Sequence, residues 1–262
     1  MTMKKILLLS PPVLLICIFL IILLYYNSSI TNIYGVSDLI FSKDSKPYGI
    51  PYSEWIGKWW QWHVSIPSVG NISNSNDAIS SVHPRESYSP EKCSWNQDSE
   101  SPVWFLPDGR NLAIFEINNP EYRECKIPHD KAILVQIYGG GCSYGEGFKN
   151  DKELEDCVNL GLDNVNFIAT IDDQEVMNSA NRYDYLSDHH KYNLTYVDNN
   201  LYKVPAGTYK AMVGGYFLFL KPLSPGVHEL KFKQVYFKPG FEGQPSNEHR
   251  LSNVLYTLNI SK

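Results

Sequence analysis

The alternation that decides the fold lies in Val227-His228-Glu229-Leu230-Lys231-Phe232-Lys233-Gln234-Val235-Tyr236-Phe237. Its first part places His228, Leu230 and Phe232 on one side of an extended chain, and charged side chains alternate with them. Successive side chains of a β-strand point to opposite faces, so this stretch predicts a strand with one buried face and one solvent-facing face. Such half-buried strands are typical of antiparallel sheets.

Comparable stretches surround it along the chain. In the last of them, Val254, Tyr256, Leu258 and Ile260 share one face in the same way. Residues that favour turns, chiefly Pro, Gly, Asn and Asp, separate these short apolar stretches. The strands expected on these grounds are residues 103–106, 111–117, 132–138, 164–171, 208–213, 216–220, 227–237 and 254–260.

Only two stretches of the domain have helical spacing. One is an aromatic helix with Ser53 as its N-cap and Pro67 after its end, and the other begins at Asp151 and stops at Gly161. Many short strands with two short helices indicate a mainly β fold, an antiparallel β-sandwich of jelly-roll or immunoglobulin-like type. An N-terminal hydrophobic helix is expected to precede it.

Composition narrows the class of protein. The chain has 262 residues, of which 43% are hydrophobic, and this is enough apolar material for one sizeable core. Its 23 basic and 28 acidic side chains give a formal charge of −5, and no cluster of Lys and Arg occurs. Because phosphate binding needs a concentrated basic patch, the sequence argues against a nucleic-acid surface.

The N-terminus predicts export. Lys4 and Lys5 precede an apolar run over residues 6–26, which is typical of a signal anchor or a cleavable signal peptide. The positive charges before the run place the N-terminus inside and the rest of the chain outside. We therefore expect residues 1–26 to contact the membrane, residues 27–50 to form a tether and residues 51–262 to form one extracytoplasmic domain, membrane-anchored or secreted.

Cysteine usage agrees with export. Cys17 lies in the apolar run, and the four others are expected to form two disulfides in an oxidising compartment: Cys93, Cys125, Cys142 and Cys157. Four cysteines allow three pairings, and proximity in sequence favours 93 with 125 and 142 with 157. Cys142 follows Gly139-Gly140-Gly141, whose amides would suit an oxyanion site, so a free nucleophilic thiol is an alternative.

The aromatic helix is the first candidate site. Trp55, Trp59 and Trp62 recur at helical spacing, and indole rings bind the apolar faces of sugars. These rings also occupy much of the helix circumference, which favours burial against the sheet. Ligand contact and burial are the two interpretations.

Glu146 is the candidate catalytic residue. It lies in Gly145-Glu146-Gly147, in a loop at a strand end, where functional side chains often occur. Together with a second carboxylate, from Glu54, Asp151 or Asp184, it would provide the acid pair that glycoside hydrolysis needs. The alternative is a Gly-rich turn in which Glu146 caps a backbone amide.

A weak metal candidate is Asp188-His189-His190, the only histidine pair of the chain. Imidazole and carboxylate are ligands for copper and zinc, but adjacent histidines on a strand point to opposite faces. A solvated loop is the alternative, and the sequence predicts no cofactor.

Three stretches of the sequence carry a resemblance. The chain contains WIGKWWQW at residues 55–62, PVWFL at 102–106 and GYFLFLKPLSPGVH at 215–228. With these it resembles an uncharacterised exported family of archaea and some bacteria, which implies a shared fold and no catalytic residues. Residues 223–230 are also similar to the Leu-x-Pro-Gly-x-Tyr element before a late strand of immunoglobulin-like sandwiches, with His228 in the place of Tyr.

These observations favour a binding or envelope-structural module whose partner is a surface glycan or protein. An extracellular hydrolase acting through Glu146, and a metal-binding protein, are the alternatives.

Overall fold

The computed structural model describes residues 38–68, 93–109, 120–237 and 248–262. The leader at residues 1–26 and the strand expected at residues 111–117 lie outside these ranges. Within them, no helix is both long enough and apolar enough to cross a membrane. A compact unit extends from Leu39 to Lys262.

Residues 39–50 belong to this unit, so the prediction that they form part of a tether is wrong. The Phe41 amide donates to the Phe219 carbonyl oxygen over 2.9 Å, and Ile40 forms a bridge with Leu220. The rings of Phe41 and Phe219 lie 5.0 Å apart. Backbone pairing and ring packing therefore bind this segment to the core.

Over its described residues the unit is mainly β, with two α-helices, as predicted. The α-helices are α1 (Tyr52–Val64) and α2 (Asp151–Asn159). The strands are β1 (Val103–Leu106), β2 (Glu121–Pro128), β3 (Ala132–Ser143), β4 (Val165–Ile171), β5 (Gln174–Asn178), β6 (His190–Tyr196), β7 (Gly207–Leu220), β8 (Gly226–Phe237) and β9 (Glu248–Ser261).

The strands form two sheets. The first sheet has the order β1-β3-β7-β6, and the second has the order β2-β9-β8-β4-β5. The pairs β1–β3 and β2–β9 are parallel, and the remaining pairs are antiparallel. Most of the strand pairs are therefore antiparallel, as predicted, and in each of the two parallel pairs one strand lies at the edge of its sheet.

Strand β7 lies at the centre of the layers, since its residues 211–220 are all buried. On one face, Phe217 and Phe219 belong to the apolar cluster that includes α1. On the other face, the ring of Tyr216 lies 4.9 Å from that of Phe167 in β4 of the second sheet. The first sheet is therefore covered by α1 on one side and by the second sheet on the other.

Helix α1 is apolar on most of its circumference, which explains its burial. Trp59 is fully buried, its indole N–H donates to the Leu106 carbonyl oxygen over 2.8 Å, and its ring contacts Phe217 edge-on. The helix begins at Tyr52 and has Pro51 as its N-cap, so the assignment of Ser53 as the N-cap is wrong by two positions.

The triple glycine belongs to β3 rather than to an open loop. A Cβ atom at Gly141 would lie 2.5 Å from the Trp60 ring, and one at Gly140 would lie 3.2 Å from the Val158 backbone in α2. The strand therefore continues to Ser143, beyond the predicted end at Tyr138. The glycines let α1 and α2 pack directly on its two faces.

Strand β2 was missed because its buried face carries charge. Glu121 and Arg123 are buried and form an ion pair with 2.8 Å between Oε2 and Nη2. Arg123 also donates to the Tyr256 hydroxyl over 3.1 Å. Burial raises the pKa of Tyr256 to about 12 despite the opposing charge of Arg123, so this phenol stays protonated and donates to Pro107. A pattern of apolar residues alone does not reveal such a strand.

Two glutamine side chains cover the edges of the first sheet. Gln61 of α1 donates to the Thr195 carbonyl oxygen of β6 over 3.0 Å and accepts from the Thr195 amide over 2.8 Å. Gln97 makes the same pair of bonds with Phe105 of β1, over 2.7 and 3.0 Å. Because exposed strand edges pair with other chains, these amides protect both edges from association.

We predict that Gln97→Ala destabilises the folded chain by about 2 kcal/mol, because its three hydrogen bonds to backbone groups of Cys93 and Phe105 are lost. Gln174→Ala is the matched control, since Gln174 is an exposed glutamine on β5. The measurement is the urea midpoint of both variants, with sedimentation velocity to detect self-association. Equal midpoints for the two variants would contradict the proposed role of the Gln97 amide.

Candidate functional site

Both predicted disulfides are confirmed. Cys93 pairs with Cys125 and Cys142 pairs with Cys157, with Cα–Cα distances of 5.5 and 6.3 Å. The alternative of a free nucleophilic thiol at Cys142 is therefore wrong. The first disulfide fixes the beginning of the segment 93–102, and the second joins β3 to α2.

The three tryptophans named as ligand contacts are buried. Trp59 is 0% exposed, and Trp55 and Trp62 are 3% and 5% exposed. Full burial removes Trp59 from any ligand surface. Trp55 and Trp62 each expose an edge to a groove of about 450 Å³ between α1 and the segment 93–102. We call this feature the α1 groove.

The wall opposite α1 is held in place by several contacts. Besides the disulfide at Cys93, Gln97 binds the backbone of Phe105. Lys131 donates from Nζ to the carbonyl oxygens of Ser99 and Ser101, each over 2.7 Å. The segment therefore forms a fixed wall of the α1 groove although it contains no regular secondary structure beyond its first residue.

Polar groups of both signs line this groove. Lys58 of α1 lies with its ammonium group 5.9 Å from the centroid of the Trp55 ring. The opposite wall contributes Asn96, Asp98 and Glu100, which are all exposed. Apolar surface with a few convergent polar groups, at a volume of several hundred Å³, is typical of ligand sites.

Glu146 caps its own turn. Its carboxylate accepts from the Ser143 amide over 2.7 Å and completes a capping box around the short 3-10 helix Tyr144–Glu146. Partial burial raises the pKa of Glu146, and the hydrogen bond from Ser143 opposes this change. Capping, the structural alternative stated for this residue, is therefore what is observed.

Two of the suggested partner carboxylates are engaged elsewhere. Glu54 pairs with His190, with 2.9 Å between Oε2 and Nε2. Asp151 pairs with Lys191 over 2.6 Å and accepts from the Tyr144 hydroxyl, and these two bonds hold the pKa of Asp151 below its usual value. Asp151 and Lys191 line a second groove of about 330 Å³.

The third suggested partner, Asp184, is an exposed residue of the short 3-10 helix Arg182–Asp184. Glu146 thus has a capping role, and none of the three carboxylates forms a hydrogen bond with it. A hydrolytic site centred on Glu146 has no geometric support from these residues.

The histidine pair diverges, as expected for neighbours on a strand. His190 faces Glu54 of α1, whereas the ring of His189 lies beside Gly214 of β7. Asp188 is exposed. In the part of the chain that the structure describes, no group of three or more His, Cys, Asp or Glu side chains is placed to hold a metal ion.

Sequence reasoning missed the wall of the α1 groove. Asn96, Asp98 and Glu100 fall at or beyond the end of a long polar stretch that has no apolar periodicity. The predicted disulfide at Cys93 was the sequence feature that could have indicated it. A polar loop that a disulfide holds next to an aromatic helix forms a cleft with fixed walls. The side of the helix that the loop covers has no sequence signal.

Comparison with protein-family models and with curated proteins finds no match for this chain.

We predict that Glu146→Ala lowers the free energy of unfolding by about 1 kcal/mol, because the Ser143 amide loses its acceptor. Glu146→Gln keeps an acceptor oxygen and is expected to cost less than half of that amount. Glu155→Ala, a change at an exposed carboxylate of α2, is the control. The measurement is the urea midpoint, and a Glu146→Ala midpoint equal to that of the control would contradict the capping role.

Proposed function

We propose that the chain is an exported, membrane-tethered binding module whose ligand occupies the α1 groove. The basic and then apolar N-terminus supports export, and two disulfides are consistent with an extracytoplasmic domain. In this proposal the two sheets form a sandwich of jelly-roll or immunoglobulin-like type, and the chain is a member of the exported family that it resembles.

The observation that carries the proposal is the construction of the α1 groove. Its helix side belongs to the core, and its opposite wall is fixed by Cys93–Cys125, by Gln97 and by Lys131. Because both walls of the cleft are already held in place, little conformational entropy is lost when a ligand binds. Binding residues often lie on loops that a rigid scaffold holds in position.

Binding is favoured over hydrolysis by the state of the carboxylates. A glycosidase needs two carboxyl groups across the scissile bond, one of them as an acid. Glu146 has the raised pKa of such an acid, but its carboxylate caps Ser143. Asp98 and Glu100 lie on the same wall of the α1 groove, so they do not face each other across a bound substrate.

The test uses the full-length chain in detergent and insoluble envelope polymer from the cells that make it, stripped of protein by digestion. We expect the chain to sediment with the polymer, and the double variant Asp98→Asn/Glu100→Gln to reduce the bound fraction about tenfold, since hydrogen bonds to charged groups are lost. Glu155→Gln/Asp156→Asn on α2 is the matched control.

The proposed binding function is wrong if the control variant and the groove variant lose binding equally. It is also wrong if the chain sediments only weakly with the polymer and neither variant changes the bound fraction. Export is checked on sealed cells, where protease added outside is expected to digest the domain. Resistance of the domain to the added protease until the cells are lysed would contradict export.

A further inference from the structure

The indole N–H groups beside the α1 groove are already used inside the protein. The Trp55 indole donates to the Pro47 carbonyl oxygen over 2.9 Å, and the Trp62 indole donates to the Trp95 carbonyl oxygen over 3.0 Å. The small exposed parts of these two rings, 3% for Trp55 and 5% for Trp62, therefore offer a ligand apolar atoms and no hydrogen-bond donor. A ligand that lies on the helix side must present carbon atoms to them.

The opposite wall offers mainly hydrogen-bond acceptors. Asp98 uses one carboxylate oxygen to accept from the Glu100 amide over 2.9 Å, which leaves the second oxygen. Among the described residues, no lysine or arginine forms an ion pair with Asp98 or Glu100. Asn96 donates from Nδ2 to the Ser65 hydroxyl over 2.7 Å and keeps its Oδ1 oxygen as an acceptor. A ligand on this wall must donate hydrogen bonds.

The α1 groove contains charged groups of both signs, two carboxylates and one ammonium group. Two carboxylates, Asp98 and Glu100, repel an anion, and Lys58 in the same groove repels a cation. Lys58 also requires an acceptor, because an ammonium group only donates. Hydroxyl groups donate to the carboxylates and accept from Lys58 without adding charge.

Two exposed aromatic residues lie next to residues that line the α1 groove. Tyr48 is 46% exposed and contacts the Trp55 ring edge-on at 6.4 Å, and Trp95 is 40% exposed in the segment that accepts the Trp62 indole. Trp55 and Trp62 are separated by about 10 Å along the helix axis, at 1.5 Å per residue. The aromatic surface is therefore longer than a single sugar ring.

We propose that the α1 groove binds a neutral oligosaccharide chain. Pyranose rings place their carbon faces against Trp95, Tyr48 and the indole edges, and their hydroxyl groups bond with Asn96, Asp98, Glu100 and Lys58. This inference rests on the proposed function, because it names the ligand class of the same groove.

The test is calorimetric titration of the full-length chain in a detergent without a sugar head group. The probes are neutral hexasaccharides of glucose, mannose, xylose and N-acetylglucosamine, with a glucosamine hexamer as the cationic probe and a galacturonate hexamer as the anionic probe. We expect at least one neutral hexamer to bind more tightly than both charged ones. Trp95→Ala is expected to weaken that binding about tenfold, as for the loss of one aromatic contact.

Tyr122→Ala is the matched control, because Tyr122 is 66% exposed on β2, outside the α1 groove. It is expected to leave the affinity unchanged. Tighter binding of a charged hexamer than of every neutral one would overturn the inference, as would equal affinities for Trp95→Ala and Tyr122→Ala.

The failure of the inference is distinguishable from that of the proposed function. If no hexamer binds while sedimentation with envelope polymer still depends on Asp98 and Glu100, the ligand class is wrong and the binding module stands. If the sedimentation is also independent of these residues, both proposals fall.

Discussion

The burial of β7 on both faces is the constraint on which the rest of the structure depends. A strand with apolar residues on one face needs one partner layer, but residues 211–220 are buried on both and need two. Helix α1 supplies one layer, through contacts such as that of Trp59 with Phe217. The second sheet supplies the other layer, where Tyr216 meets Phe167.

This constraint explains why an aromatic helix is both a core element and one wall of a groove. Trp59 is directed into the core, and its N–H is satisfied by Leu106. Trp55 and Trp62 lie closer to the edge of the covered area, where the segment 93–102 approaches the helix. Because the helix cannot move without exposing the core, the α1 groove has one rigid side. The disulfide Cys93–Cys125 gives it the other.

The same packing accounts for the triple glycine. A side chain at Gly141 would enter the space of the Trp60 ring, and a side chain at Gly140 would approach the backbone of α2. The glycines had suggested an oxyanion site because free amides often occur in such loops. In the structure their role is close contact between layers, and Cys142 beside them is joined to Cys157.

The sequence predicts those parts of the fold in which the pattern of apolar residues agrees with the periodicity of the element. Strands β1 and β4, helix α2 and the two disulfides were placed within a few residues. Strand β2 was missed because a buried ion pair, Glu121 with Arg123, breaks the apolar alternation. Strands β5 and β6 are short edge strands with mostly polar residues on one face, which resemble loops in sequence.

The candidate site was only partly predictable for a related reason. Trp55 and Trp62 follow from helical spacing, but the wall formed by Asn96, Asp98 and Glu100 depends on how an irregular segment folds back onto the helix. That path is set by long-range contacts, the disulfide to Cys125 and the bonds from Lys131 among them. Local pattern has no information about such contacts.

Hydrogen exchange of the full-length chain tests the central claim, that α1 and β7 form one cooperative core. If the claim holds, the slowest amides of α1 and those of β7 exchange together, at the rate set by global unfolding. Exchange of α1 through local opening, while β7 remains protected, would show that the helix is dispensable to the core and would contradict this account.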